Sequence, residues 1–209
     1  MVRTAESITQ QGLERLKTFD LSLLSLIPSL SKLNDGALED VYNVNGCANY
    51  QWASCLVDIL KPPQVVELGG AMGVWDLMVL HTLPKTSHLY SITLPEQGLE
   101  YSYIDKEYKN FHPVLGDDLD LSNWPKDLDL SKTDLWYFDS LHLEAQLRKE
   151  LDLYSPFFKK GAMVLFDDIH LNDGMQRVWD EIVAGKWGIT DTYDATDPLH
   201  FTGYGCTLV

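Results

Sequence analysis

The stretch that decides the fold is Gln64-Val65-Val66-Glu67-Leu68-Gly69-Gly70-Ala71-Met72-Gly73-Val74-Trp75, an apolar run that ends in an acid, opens into glycines and continues as a helix. Val65 and Val66 suit a buried parallel strand. The glycines permit positive φ and let a bound molecule approach the backbone without meeting a Cβ. The helix predicted from Val74 to Thr82 would direct its free N–H groups at that molecule. A βα turn with glycines only for tight packing fits the stretch as well.

The spacing of the glycines argues against a dinucleotide site. The fingerprint G-x-G-x-x-G fails in both registers, because Leu68 breaks one and Ala71 and Val74 break the other. A pyrophosphate ligand, and with it a nicotinamide oxidoreductase, is therefore disfavoured.

A different spacing, E-x-G-x-x-x-G, is formed by Glu67, Gly69 and Gly73. It resembles the first motif of class I S-adenosylmethionine-dependent methyltransferases. The resemblance implies that this loop, including Gly70, wraps the amino-acid and ribose part of S-adenosylmethionine. We expect Gly69 to lie so close to the cofactor that a Cβ would clash, so that Gly69→Val weakens binding without unfolding the chain.

Composition narrows the class of protein. The chain has 209 residues, 45% of them hydrophobic and 22% charged, as in an ordinary soluble globular protein. No apolar run approaches the roughly 18 residues of a membrane helix, and the start is not a signal peptide, so we expect a cytoplasmic protein without a membrane partner. The formal charge of −15 disfavours nucleic acid as a partner. Three cysteines without a C-x-x-C pair indicate reduced thiols.

The chain divides into residues 1–62, an N-terminal helical extension, and residues 63–209, the cofactor-binding domain. Apolar spacing predicts helices over about 5–19 and 50–60, and a second apolar cluster at 21–33 is interrupted by Pro28. These helices suit packing against the domain. A role as a lid, or as a surface between copies in a homo-oligomer, is also open.

Strands and helices alternate from Gln64 onward, which predicts an α/β fold with a doubly wound, mostly parallel seven-stranded sheet covered on both faces. Pro113 makes the strand at 111–115 the weakest of these assignments, or else an edge strand. The last of two closing strands is expected to run antiparallel, as in the Rossmann-like methyltransferase fold. The expected elements are a first strand that begins at Gln64, strands at 88–93, 111–115, 135–138, 162–166, 189–193 and 201–209, and helices at 97–108, 143–154 and 175–183.

Two strands change from apolar to acidic in one step, giving Asp139 after the first and Asp167 and Asp168 at the end of the second. Ligands of open α/β sheets bind outside the carboxyl ends of the strands. If these strands are neighbours, three carboxylates converge there and repel one another unless a cation neutralises them. A hard divalent ion with oxygen ligands, Mg²⁺ first, is the natural candidate. Singly, each acid also fits a helix cap or a turn.

Residues 138–142 and 160–170, with 151–154 between them, resemble metal-dependent small-molecule O-methyltransferases related to macrocin O-methyltransferase and to the cephalosporin hydroxylase-like group. The resemblance implies that Asp139, Asp167 and Asp168 bind Mg²⁺ or Mn²⁺. It further implies that His142 is the general base beside Asp139 and that Asp117 lies near the adenine. His142 also fits a hydrogen-bonded loop histidine.

The sequence departs from that family where Thr93 stands in place of the acid that usually contacts the ribose hydroxyls. Glu96 is a candidate to take over that contact, and Ala71 replaces a common glycine. We therefore expect S-adenosylmethionine-dependent, metal-assisted methyl transfer to a hydroxyl of a small molecule. The alternative is a catalytically inactive cofactor-binding or regulatory protein with the same fold.

Overall fold

Seven strands form one sheet in the spatial order β3-β2-β1-β4-β5-β7-β6. The computed structural model describes residues 3–19, 48–98, 101–195 and 201–209. Strands β1 to β5 pair with one another in parallel, whereas β7 is antiparallel to both β5 and β6. The strands are β1 (Gln64–Leu68), β2 (His88–Thr93), β3 (Phe111–Leu115), β4 (Leu135–Phe138), β5 (Met163–Asp167), β6 (Asp191–Asp194) and β7 (Tyr204–Leu208).

Helices cover both faces of this sheet. They are α1 (Ala5–Leu16), α2 (Ala48–Leu60), α3 (Val74–Thr82), α4 (Tyr101–Glu107), α5 (Glu144–Tyr154) and α6 (Asp173–Val183). Successive strand residues face opposite layers, so Val65 belongs to the core under α1 to α4 and Val66 to the core under α5 and α6. The predicted doubly wound fold with an antiparallel last strand is confirmed.

Most element boundaries agree with the sequence prediction. The strands at 88–93, 111–115 and 135–138 have the predicted bounds, and β1 begins at Gln64 as predicted. Pro113 lies in β3, which is the edge strand as expected, because a proline has no N–H to donate to a second neighbour. The helix predicted at 97–108 is described only from Tyr101 to Glu107, and residues 95–97 form a turn.

The described part of the N-terminal extension packs on one face of the sheet. Trp52 of α2 is fully buried, and its indole N–H donates to the carbonyl of Thr9 in α1 at 3.3 Å. Thr4 and Ser7 form a capping box at the start of α1. The backbone N–H of Ala5 donates to Asp191 of β6 at 3.1 Å. The apolar cluster predicted at 21–33 lies outside the described residues, and the division at residue 62 stays a prediction.

The register of the parallel strands brings their carboxyl ends together. Leu68 at the end of β1 pairs with Ile92 on one side and with Phe138 on the other, and Phe138 pairs with Phe166. The loops that follow these strands therefore meet at one edge of the sheet. Within the described ranges, no helix is long and apolar enough to span a membrane.

Candidate active site

The glycine loop after β1 turns sharply into α3. Gly69 has φ 95°, and Gly73, with φ 79°, caps the N-terminus of α3 in the left-handed conformation that glycine adopts without strain. The N–H groups of Gly69 and Gly70 both donate to the carbonyl of Ile92, at 2.9 and 3.2 Å. Because these donors are already used, the loop does not offer them to a phosphate, in agreement with the missing dinucleotide fingerprint.

The expectation that Gly69→Val would weaken cofactor binding without affecting the fold is wrong. A Cβ built there would lie 2.1 Å from the carbonyl oxygen of Asp139 and 2.5 Å from the Cα of Ser140. Both atoms belong to the backbone that follows β4. Gly69 is therefore needed for the close approach of two loops, and Gly69→Val would disturb the fold as well as the site.

A cavity of about 480 Å³ lies between the glycine loop and the loops that follow β2, β3 and β4. Five residues predicted for the site line it: Gly69, Thr93, Asp117, Asp139 and His142. Residues that the sequence analysis did not single out for the site also line the cavity: Tyr50, Ala71, Ile92, Leu94, Gln97, Gly116, Asp118, Leu119, Ser140, Leu141 and Gln146.

Three predicted cofactor-binding residues, Glu67, Gly70 and Gly73, are not part of the cavity wall. Glu96, on the turn after β2, is also outside it. The next residue, Gln97, lines the cavity instead and accepts a long hydrogen bond of 3.4 Å from the hydroxyl of Thr93. The sequence alone does not indicate that Gln97 rather than Glu96 lines the cavity. The conformation of the turn decides it, because the two residues are neighbours in the chain.

Asp139, His142 and Asp167 form a group whose potential ligand atoms all lie within 4.8 Å of one another. Asp167 is 5% exposed, and its Oδ1 atom has no hydrogen-bond partner. Burial, followed by the charges of Asp139 and Asp168, raises the pKa of Asp167 well above its ordinary value. The hydroxyl of Tyr137 donates to Asp139 at 3.1 Å and holds that carboxylate in place. A buried, unsatisfied carboxylate oxygen in such a group is what a bound cation would satisfy.

His142 lies between two carboxylates. Its Nε2 atom is 3.0 Å from Asp139 Oδ1, and its Nδ1 atom is 3.1 Å from Asp168 Oδ2. Asp168, which has a φ of 55°, also accepts a hydrogen bond from Thr202. Burial lowers the pKa of His142, but the hydrogen bond and charge of Asp139 and the charge of Asp168 outweigh it, so the pKa is raised. Asp168 as a metal ligand stays a prediction, since it lies outside the group of three.

Comparison with known proteins agrees with this geometry. Residues 66–169 match the sequence profile of a family described as a methyltransferase domain. The chain belongs to this methyltransferase-domain family. The match spans the glycine loop, the three acids at the ends of β4 and β5, and all of the cavity wall except Tyr50. No curated protein sequence matches the chain.

Solved structures share the fold of this methyltransferase at low sequence identity. A putative caffeoyl-CoA O-methyltransferase from Staphylococcus aureus has a TM-score of 0.65 at 13% identity, with 94% of this chain and 95% of that chain covered. The O-methyltransferase TomG from Streptomyces achromogenes, solved with S-adenosylmethionine, has a TM-score of 0.63 at 18% identity and coverages of 94% and 97%. An O-methyltransferase from Bacillus cereus has a TM-score of 0.59 at 14% identity and coverages of 93% and 100%.

Beneath the glycine loop of the methyltransferase lies a buried pair of carboxyl groups, Glu67 and Asp76, which we call the loop-base pair. The hydroxyl of Ser91 donates to both and also contacts the hydroxyl of Tyr101. Burial, followed by the charge of Asp76, raises the pKa of Glu67 well above its ordinary value. Burial likewise raises the pKa of Asp76 to about 6. A Cβ on Gly70 would meet Tyr101 and Ser91, so this cluster, with Glu67 in it, supports the loop from below.

A second pair of carboxyl groups, Asp118 and Glu150, lies beside the cavity near Asp117. The amide of Gln146 donates to Asp118 Oδ1 and to Glu150 Oε1, each at 2.8 Å, and Ser140 also donates to Glu150. Burial, followed by the charge of Asp118, raises the pKa of Glu150 to about 8. This cluster fixes the wall of the cavity. Sequence patterns do not reveal this cluster, because Glu150 resembles a surface residue of α5.

Proposed function

We propose that this methyltransferase transfers the methyl group of S-adenosylmethionine to a hydroxyl group of a small molecule, with a divalent cation assisting. The observation that carries the proposal is the group of Asp139, His142 and Asp167 at the edge of the cavity. The glycine loop that bears Gly69 belongs to the wall of the same cavity. Cofactor and acceptor would therefore meet in one enclosed space.

The cavity wall suggests how the cofactor is oriented. We place the amino-acid part of S-adenosylmethionine over the glycine loop and the adenine beside Asp117. The ribose would then lie against Thr93 and Gln97, whose hydroxyl and amide can exchange hydrogen bonds with its two hydroxyls. Gln97 thus takes the role that the sequence analysis assigned to Glu96. The departure at Thr93 is then no argument against catalysis.

The residues present fit a divalent cation. Asp139 and Asp167 provide carboxylate oxygens, which Mg²⁺ and Mn²⁺ prefer, and the unpartnered Oδ1 of Asp167 is available for one of them. His142 lies beside these oxygens, and we assign it the proton of the acceptor rather than the ion. Such an ion would polarise the acceptor hydroxyl and lower its pKa.

The protein residues have two tasks in this reaction. The first is to hold the acceptor oxygen in line with the methyl group, because a well-oriented near-attack geometry removes much of the barrier. The second is to accept the hydroxyl proton, and we assign it to His142. After transfer, the imidazolium would be stabilised by Asp139 and Asp168, which already contact its two nitrogens. The carbon–sulfur bond breaks as the carbon–oxygen bond forms, and S-adenosylhomocysteine leaves.

Labelled S-adenosylmethionine and a panel of phenolic and sugar hydroxyls test the proposal. We expect methyl transfer that chelation abolishes and that Mg²⁺ or Mn²⁺ restores. Asp167→Asn should imitate chelation, whereas Asp105→Asn, a matched change at an exposed site on α4, should have no effect. Full activity after exhaustive chelation would remove the cation from the proposal.

The alternative of an inactive cofactor-binding protein gives a different result in the same assay: binding of S-adenosylmethionine without turnover of any acceptor. Calorimetry with S-adenosylmethionine and its demethylated product therefore accompanies the activity panel. The absence of nucleic acid as a substrate, a cytoplasmic location and a homo-oligomer built through the N-terminal helices stay predictions.

A further inference from the structure

The loops that meet at the carboxyl edge of the sheet lack the strongly basic side chains of lysine and arginine. These loops are residues 69–73 after β1, 94–98 after β2, 116–120 after β3, 139–143 after β4 and 168–172 after β5, and none contains a lysine or arginine. They contain six acids instead: Glu96, Asp117, Asp118, Asp120, Asp139 and Asp168. Among the described residues that line the cavity, His142 is the one side chain able to carry a positive charge.

The arginines of α5 and α6 are engaged in ion pairs and are not part of the cavity wall. Arg148 of α5 binds Glu144 at 2.9 Å and Glu181 at 2.5 Å, and Arg177 of α6 binds Glu144 at 2.6 Å. The stretch between the first two described parts of the chain adds more negative than positive charge. Residues 20–47 contain one basic residue, Lys32, and four acids.

A divalent cation would not reverse this charge. Asp139, Asp167 and Asp168 together carry three negative charges when ionised, so one ion leaves one net negative charge at that end of the cavity while His142 is neutral, as its role as the base requires. Asp117 adds another at the far end. The sulfonium of S-adenosylmethionine suits this environment. A second anion brought beside these carboxylates would be repelled, and in a partly enclosed site such repulsion is screened only weakly.

We propose that the acceptor is an uncharged or cationic hydroxyl compound, and that acceptors bearing a carboxylate, a phosphate or a coenzyme A group are rejected by charge. This proposal rests on the O-methyl transfer proposed above and names the class of its substrate. Leu94, Leu119 and Leu141 in the cavity wall add apolar surface for the body of such a molecule. The acceptor thus differs in charge from the coenzyme A ester that the name of the Staphylococcus aureus structure implies for that protein.

The test uses three catechols that share the ring and its hydroxyls and differ only in the end group of the side arm: an amine, an alcohol and a carboxylic acid. We expect kcat/KM for the amine and the alcohol to exceed that for the acid by on the order of tenfold. The difference should narrow at high salt, because ions screen exposed charges. Calorimetry in the presence of S-adenosylhomocysteine gives the same ranking for binding alone. Equal values, or a preference for the acid or for a coenzyme A ester over its methyl ester, would overturn the proposal.

A pair of variants separates local charge from other causes. Leu94→Lys places a cation in the cavity wall at a residue to which no hydrogen bond and no catalytic step is assigned, and it should raise kcat/KM for the acid several-fold relative to the alcohol. Leu115→Lys adds the same charge at the exposed end of β3, outside the wall, and should leave the ratio unchanged. An unchanged ratio in Leu94→Lys would contradict the proposal.

Failure of the underlying function would look different. If S-adenosylmethionine binds but no acceptor of any charge is methylated, the proposed O-methyl transfer fails. The charge inference is then decided by the calorimetric ranking of the three catechols, in which binding of none of them, or tightest binding of the acid, overturns it.

Discussion

Asp76→Asn should make the protein more stable at neutral pH. Asp76 is fully buried next to Glu67, and its Oδ1 atom has no hydrogen-bond partner. Burial raises the pKa of Asp76 to about 6, so the folded state binds this proton more tightly than the unfolded chain does. A raised pKa contributes stability that is fully present below the unfolded value of 3.8 and is lost as the pH rises through about 6. An asparagine does not titrate and avoids that loss.

The size of the effect follows from the shift. The pKa of Asp76 differs by about two pH units between the unfolded and folded states, and each unit corresponds to about 1.4 kcal/mol. The wild type should therefore lose up to about 3 kcal/mol between pH 4 and pH 7.5 through this group. For a chain of this length that loss is on the order of 6–12 °C in Tm. Ser91, which donates to Asp76, can donate equally to an amide oxygen.

The assay is chemical unfolding of both proteins without cofactor at pH 4 and at pH 7.5. The decisive quantity is how the stability difference between variant and wild type changes with pH, because packing effects of the substitution are common to both values. Asp105→Asn, on the exposed face of α4, is the matched control and should show no such change. A difference between Asp76→Asn and wild type that is the same at both pH values would refute the reasoning.

Four further predictions concern the site. Gly69→Ala should destabilise the fold by at least about 2 kcal/mol, measured by unfolding, because its Cβ would lie 2.1 Å from a backbone oxygen; an intact Tm with weaker cofactor binding would contradict this. Gln97→Ala should weaken S-adenosylmethionine binding roughly fivefold in calorimetry, through one lost hydrogen bond, whereas Glu96→Ala should not. His142→Gln should remove the acid limb of the pH–rate profile, whose midpoint should lie above 6.5 because Asp139 and Asp168 raise the pKa of His142; a limb of unchanged shape would exclude it as the base. Asp167→Asn should leave calorimetric binding of the cofactor nearly intact while Mn²⁺ binding, followed by electron paramagnetic resonance, is lost.

The sequence predicted the fold well because local pattern and global topology agree in this chain. Valine-rich and aromatic runs of four to six residues mark β1 to β5, and each is followed by a turn or a helix signal. Parallel order then follows from the right-handed βαβ connection. Even the edge position of β3 was accessible, since Pro113 cannot donate a hydrogen bond to a second neighbouring strand.

The inner wall of the site was less accessible to sequence reasoning. Which of Glu96 and Gln97 faces the cavity depends on a turn whose conformation no local rule specifies. Gly69 was read as a site of ligand approach, yet the Cβ direction points to the chain after β4, a contact between residues far apart in sequence. Glu67 was expected to contact the cofactor, but Ser91 and Tyr101 of distant elements enclose it.

Three pairs of acidic side chains lie at or beneath the cavity, and they differ in whether a bound ion could reach them. The loop-base pair is shut in beneath Gly70 and is not part of the cavity wall, so a bound ion could not reach it from that side. The pair of Asp118 and Glu150 shares the amide of Gln146, which supplies a donor to each acid. Asp139 and Asp167 share no such donor, and Asp139 faces the open cavity while one oxygen of Asp167 stays unpartnered. Of the three pairs, only Asp139 and Asp167 can be reached by an ion from the cavity and also leave a carboxylate oxygen without a hydrogen-bond partner. This is the physical reason for placing the cation there.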